Sequence, residues 1–283
     1  MLPPHSGKRS PHWLYCLLAA WLTLPAGSLC HAATGTDTAW KAALSLDYNS
    51  AAANLEQQHR ANPADARIAT AYAASLLVRD PVTTVNVTEA ETLLGNLLKT
   101  LPPDDVEYRP LVLYLLGRIA HDHAEPPRLA DAQSRYEQLR RDYPGHPLAD
   151  QAAVHLGYIV SLQAAPSDAR EGIAAVETLL ASATSPDARR ELHYLLAHLH
   201  WHGRHDAAAA LPHYLAGREI GFEAPYRNGE VDLTIAGLAV ELDRNELAAR
   251  HYLAFAAAYP QDGRAKTARR LAVEAQARDA QIP

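Results

Sequence analysis

The sequence predicts an all-α fold, a right-handed solenoid of about six helix hairpins closed by a C-terminal capping helix, and three observations predict it. First, alanine followed by leucine or tyrosine four residues on and proline eight residues after that occurs four times, at Ala51/Leu55/Pro63, Ala90/Leu94/Pro102, Ala132/Tyr136/Pro144 and Ala248/Tyr252/Pro260. Second, most of the chain beyond residue 38 reads as amphipathic segments broken by Pro, Gly, Asn or Asp, the pattern of short surface helices. Third, runs of alternating β-branched residues are nearly absent. A lone hairpin cannot bury its apolar face, so repeated hairpins must stack into one continuous core.

The first 32 residues come before that pattern and read differently. Lys8 and Arg9 precede an apolar run from Trp13 to Leu24, and Pro25, Gly27 and Ser28 follow in a region of small residues. This is the layout of a secretory leader, with cleavage expected after Ala32. The run is too short for the ~20 apolar residues of a membrane span, and no later stretch supplies one. Cys30 invites a lipid anchor, but the bulky Leu29 before it disfavours that modification. Both cysteines lie in the leader, so residues 33–283 hold no thiol for a disulfide, a metal or a nucleophile. Loss of Lys8 and Arg9 with the leader takes the net charge from −6 to −8. Such a surface disfavours nucleic acid and anionic lipid as partners. Arginine outnumbers lysine 22 to 4 and alanine dominates, as in GC-rich bacterial genomes. An exported, periplasmic location is expected.

The hairpins follow in order, at approximately residues 38–65, 66–104, 108–146, 149–183, 188–222 and 229–262, with a capping helix and tail at 263–283. The first contributes Ala51, Leu55 and Pro63, and the second Ala90, Leu94, Leu97 and Pro102. Between the helices of the second, Pro81-Val-Thr-Thr-Val-Asn-Val87 reads as an extended connection, with a short strand as the alternative. The third is the most complete: Leu116-Gly117 and Ala120 in its first helix, Ala132, Tyr136 and Leu139 in its second, then Pro144. The fourth starts with Leu156-Gly157 and the fifth contains Ala210 and Tyr214, but neither completes the pattern. The sixth carries Ala248, Tyr252, Ala256 and Pro260, and its Tyr259-Pro260 echoes Tyr143-Pro144, an aromatic at the helix end before proline stops it. Gly117 and Gly157 are expected to admit close helix approach, and Ala132 and Ala248 to keep the second helix narrow.

These residues resemble the tetratricopeptide family, whose hairpins carry a Leu-Gly pair in the first helix and Ala, an aromatic, a small residue and Pro in and after the second. The resemblance covers most of residues 38–262 and implies a concave groove lined mainly by first helices. The mean spacing from Ala51 to Ala248, near 39 residues, exceeds the family's ~34, and longer turns account for the excess. Within the family, the Tyr-Pro endings and Leu-Gly starts look closest to envelope proteins of outer-membrane assembly and the Tol-Pal system. That likeness implies a non-catalytic adaptor which binds a protein or extended peptide of the cell envelope in its groove.

The residues offer little to an enzyme. There is no Gly-rich phosphate loop, no Gly-x-Ser-x-Gly elbow and no convincing carboxylate pair. No catalytic residue, cofactor or metal is therefore expected. The candidate partner-binding residues are polar and aromatic side chains of first helices that the core does not need: Tyr114, Arg118 and His121 in the third hairpin, His155 and Tyr158 in the fourth, and Tyr194, His198, Trp201 and His202 in the fifth. Each set shares a helix face, with ring faces for side chains and polar tips for backbone amides. The alternative is an envelope enzyme accessory or metal-handling protein built on His198, His202 and His205, since His198 and His202 lie one turn apart. His121-Asp122-His123 reads as a turn, because neighbours diverge by about 100° on an α-helix. A third reading is self-association through an open solenoid end.

Overall fold

The computed structural model describes Ala39, residues 42–43, 45–163 and 169–279. The leader, Cys30 and most of the first helix of the first hairpin lie outside the described residues. Among the described residues twelve α-helices follow one another: α1 (Tyr48–Ala61), α2 (Ala66–Leu76), α3 (Thr84–Thr100), α4 (Arg109–Arg118), α5 (Leu129–Asp142), α6 (Pro147–Gln163), α7 (Ala169–Ser182), α8 (Pro186–His198), α9 (Ala207–Ile220), α10 (Pro225–Glu241), α11 (Asn245–Ala258) and α12 (Ala265–Asp279). The described residues contain no strand.

Local chemistry sets the helix starts. A side chain just ahead of the helix accepts a backbone N–H of the first turn at Asp47 (from Ser50), Asp65 (from Ile68), Thr83 (from Asn86), Ser185 (from Ala188) and Asp206 (from Ala209). Pro110, Pro186 and Pro225 occupy first-turn positions, where a missing N–H costs nothing. Tyr143 and Tyr259 end α5 and α11 and anchor those ends. The Tyr143 hydroxyl donates to the Pro103 carbonyl at 2.7 Å, and that of Tyr259 to the Pro225 carbonyl.

Residues 82–87 correct the expectation of an extended connection or short strand. Thr83 is extended as the cap, and α3 begins at Thr84. The Thr83 cap and the burial of Val87 against the core override the strand preference of β-branched residues, a weak and context-dependent preference.

Each helix packs against the next, and first helices also stack on one another from α2 to α4, α6 and α8. The repeated motif residues form the seam of this stack. Ala51, Ala90, Ala132 and Ala248 are at most 1% exposed, and Leu55, Leu94, Tyr136 and Tyr252 are buried beside them. A Cβ on Gly117 would stand 2.5 Å from the Tyr136 ring, so the glycine is what lets α5 lie against α4. Gly157 makes the same room for Leu195 and Leu192 of α8 instead, because α7 brings no aromatic to it. That exchange explains why the fourth hairpin departs from the repeat pattern. One apolar core runs from α1 to the end of α8, and further clusters join α9 to α10 and α10 to α12.

The first helices of the third and fifth hairpins run on into single π-helical turns, Ile119–His123 and Leu199–Gly203. Both turns are sealed by the incoming chain: Arg128 donates its N–H to the Ala120 carbonyl at 2.8 Å, and Asp206 to that of His200 at 2.9 Å. Between α8 and α10 the close stacking of first helices slackens. Phe222, which follows Gly221 at the end of α9, fills that gap.

Candidate functional site

The sequence-predicted residues fall into three clusters along the first helices. The first lies at the joint of the third and fourth hairpins and collects Tyr114, Arg118 and His121 of α4 and its π-turn with His155 of α6. Tyr114 and Arg118 are buried, at 3% and 8% exposure, so they form part of the joint and not an open groove wall. This corrects their expected role as surface contacts. The reason is α6, which lies over α4 and sets His155 against the rings of both Tyr114 and Tyr136. The Tyr114 hydroxyl is 3.1 Å from His155 Nε2, and His155 stacks on Tyr136 at 5.2 Å between ring centroids. Arg118 Nε donates to Asp122 Oδ2.

The electrostatics of this joint follow from burial and one cation. Burial, seconded by the Arg118 charge, depresses His155 to about 3, so the imidazole is neutral at ordinary pH. Burial alone would raise the Asp122 carboxyl, but the Arg118 guanidinium outweighs it and holds the carboxyl below the usual range. His121, Asp122 and His155 offer ligand atoms that all lie within 4.8 Å of one another, the one such group of three among the described residues. His121 and Asp122, expected to diverge, nevertheless have ligand atoms within 4.8 Å of each other and of His155 at this π-turn.

The second cluster spans the slack interval between α8 and α10. Tyr158 of α6 is 41% exposed, and Leu162 one turn on is 70% exposed. Burial and the Glu191 carboxylate raise the Tyr158 phenol, with Arg227 opposing, which places all three side chains in one neighbourhood. Tyr194 stacks on Phe222 at 5.3 Å, and the guanidinium of Arg227 covers Phe222 at 3.6 Å with that of Arg190 at 4.4 Å. Arg190 also donates to Asp187 Oδ1 and to the Gly221 carbonyl, and Arg227 lies 3.7 Å from Glu191. Burial raises the Tyr194 phenol to about 12. The outcome is an aromatic floor with paired charges around it, and Tyr158, Leu162 and Tyr226 on the adjoining helices are exposed.

The third cluster is at the end of α8. His198 and His202 are exposed with ring centroids 4.6 Å apart, Trp201 lies against His202 at 4.6 Å, and Trp201 meets Tyr214 edge-on at 6.2 Å. His205 does not join them as a third ligand, which corrects the expected His198/His202/His205 constellation. Its backbone is left-handed, at φ 53°, and the neighbouring Asp206 is spent capping α9. Behind this surface His193 Nδ1 and His213 Nδ1 stand 3.1 Å apart, and His200 stacks on His213. Burial, aided by His193 and His200, depresses His213 to about 4.

Sequence reasoning missed Glu191, Phe222, Arg227 and His213. Phe222 carried one signal, as the large apolar residue after the Gly221 stop, where a loop offers nothing local for it to pack on. No helix among the described residues is long and apolar enough to cross a membrane.

No known family matches the sequence, and no curated protein does. Among solved structures the chain is similar to one in the crystal structure of the APC/C hetero-tetramer Cut9-Hcn1, with a TM-score of 0.50 and 13% identity, over 84% of this chain and 42% of that one. The present chain thus spans less than half of that neighbour's length. At such identity the likeness speaks for architecture, and with the twelve helices and their buried motif residues it makes the fold a tetratricopeptide-like helical solenoid.

Proposed function

We propose that the protein is an exported, periplasmic, non-catalytic adaptor that holds an extended segment of an envelope protein along its first helices between α6 and α10. The observation that carries this reading is the surface around Phe222. Tyr158, Leu162 and Tyr226 stay exposed there although the core does not use them, and they flank a floor of Tyr194 and Phe222 braced by Arg190, Glu191 and Arg227. Aromatic faces offer contact area at low entropic cost, and the paired charges can reorient toward backbone amides. Helices each packed against the next form this surface before any partner arrives, which lowers the cost of binding. The leader-like first 32 residues support the location, and the acidic balance supports a protein partner over nucleic acid.

The test is affinity capture from crosslinked native envelopes with the wild type and with Tyr158→Ala plus Arg227→Ala, two exposed positions whose loss leaves the core intact. A stoichiometric partner retained by the wild type and lost from the variant is expected. The same partners captured by both proteins would rule out this surface.

A further inference from the structure

We propose that His121, Asp122 and His155 form a binding site for one divalent first-row transition cation, with Zn2+ as the expected metal, at the joint between the third and fourth hairpins. Two imidazoles and a carboxylate are a donor set that such cations accept without a thiolate. Their ligand atoms lie within 4.8 Å of one another. Bonds of ~2.0–2.2 Å to a tetrahedral centre need them about 3.3 Å apart, a contraction that small side-chain rotations supply. The fourth position goes to water, since Asp122 keeps 21% of its side chain exposed.

Two further features support a ligand set over a chance grouping. The first is the backbone: His121 and Asp122 sit in a π-helical turn, a costly local geometry concentrated at functional positions. The second is the outer shell. Ligating imidazoles give their other ring nitrogen to a fixed partner, and ligating carboxylates are themselves hydrogen-bonded. Tyr114 Oη at 3.1 Å from His155 Nε2 is placed for the first, and Arg118 Nε on Asp122 Oδ2 does the second. Both outer partners come from α4 itself, four and eight residues ahead of Asp122. The Arg118 cation opposes the charge of the metal, which sets the affinity below that of a closed structural site. Binding would tie the end of α4 to α6 and fix the angle between two successive hairpins.

The experiment is a titration of the purified chain with Co2+, followed by its visible d–d absorption, and with Zn2+ by calorimetry. One equivalent is expected, with affinity at least tenfold lower in Asp122→Asn and in His155→Gln and about tenfold lower in Tyr114→Phe, while His198→Ala plus His202→Ala leaves it unchanged. Circular dichroism checks that each variant is folded. Asp122→Asn, isosteric and on a partly exposed side chain, keeps the test decisive if a histidine variant unfolds. Absence of binding, unchanged affinity in Asp122→Asn, or loss of binding in the His198/His202 variant would overturn the assignment.

Discussion

Adding one methyl group at Gly117 tests whether the hairpins are held by the ring-into-glycine fit. Replacing a helical glycine with alanine ordinarily stabilises by up to about 1 kcal/mol, through lower backbone entropy in the unfolded chain and better helix propensity. At Gly117 the new Cβ would stand 2.5 Å from Tyr136 Cε1 and 2.9 Å from Cδ1 and Cζ, where carbon atoms prefer ~3.5–4.0 Å. The ring has no free direction: Tyr136 is fully buried and packed among Tyr114, His121 and His155. The helices must therefore separate by about 1 Å, and overpacking of this kind costs ~1–3 kcal/mol. The clash outweighs the propensity gain, so Gly117→Ala is expected to destabilise by about 1–2 kcal/mol. Gly95→Ala in α3 and Gly237→Ala in α10, where a Cβ meets nothing within 4 Å, are expected to stabilise by about 0.5–1 kcal/mol. Urea unfolding followed by circular dichroism reads the signs. In a Tyr136→Leu background the ring is gone, and Gly117→Ala should then stabilise. A stabilising Gly117→Ala in the wild type, or a cost that persists without the ring, would refute the reasoning.

Two further outcomes follow from buried polar groups. Asp232, 2% exposed, accepts two hydrogen bonds from Arg218 at 2.9 and 3.0 Å and pairs with His251 Nδ1 at 2.9 Å, tying α9, α10 and α11 together. Asp232→Ala leaves those partners uncompensated and is expected to cost about 3 kcal/mol in urea unfolding, whereas Asp232→Asn, which keeps the shape, should cost less. The His193–His213 contact predicts a pH effect of defined sign. His213 titrates near 4 when folded, below the ordinary histidine range, so the unfolded chain binds the proton more readily. Its contribution to stability is complete above about pH 6.5 and is lost as the pH falls from there toward 4. His213→Gln should flatten the dependence of the urea midpoint on pH in that window, and an unchanged slope would show that this contact carries none of it.

The Ala-x3-Leu/Tyr-x7-Pro spacing was sufficient to place the buried seam because it records a constraint repeated at every hairpin: a small residue where helices cross, a bulky one a turn later and a stop. Stops such as Pro144 act within a few residues of themselves and are legible for the same reason. Local reading failed where a neighbour from another hairpin decided the outcome. Val85 and Val87 favour strand in isolation and are helical because the cap and core demand it. Gly157 has no aromatic partner in its own hairpin and makes room for Leu195, 38 positions away.

The candidate sites were legible as residue types on helix faces, but not as arrangements. The sequence by itself determined the helices, their stops and the alternation of small and large groups, since these are set by backbone propensity and burial within one hairpin. Only the tertiary structure decided that Tyr114 and Arg118 are sealed in a joint, that His155 comes to His121 and Asp122, that His205 forms no ligand group with His198 and His202, and that Phe222 lies beneath Arg227. Each of these depends on how one hairpin is rotated against the next, an angle set by the summed packing of many side chains and by two π-helical turns. No spacing along the chain encodes such an angle, because it belongs to the interface and not to either helix.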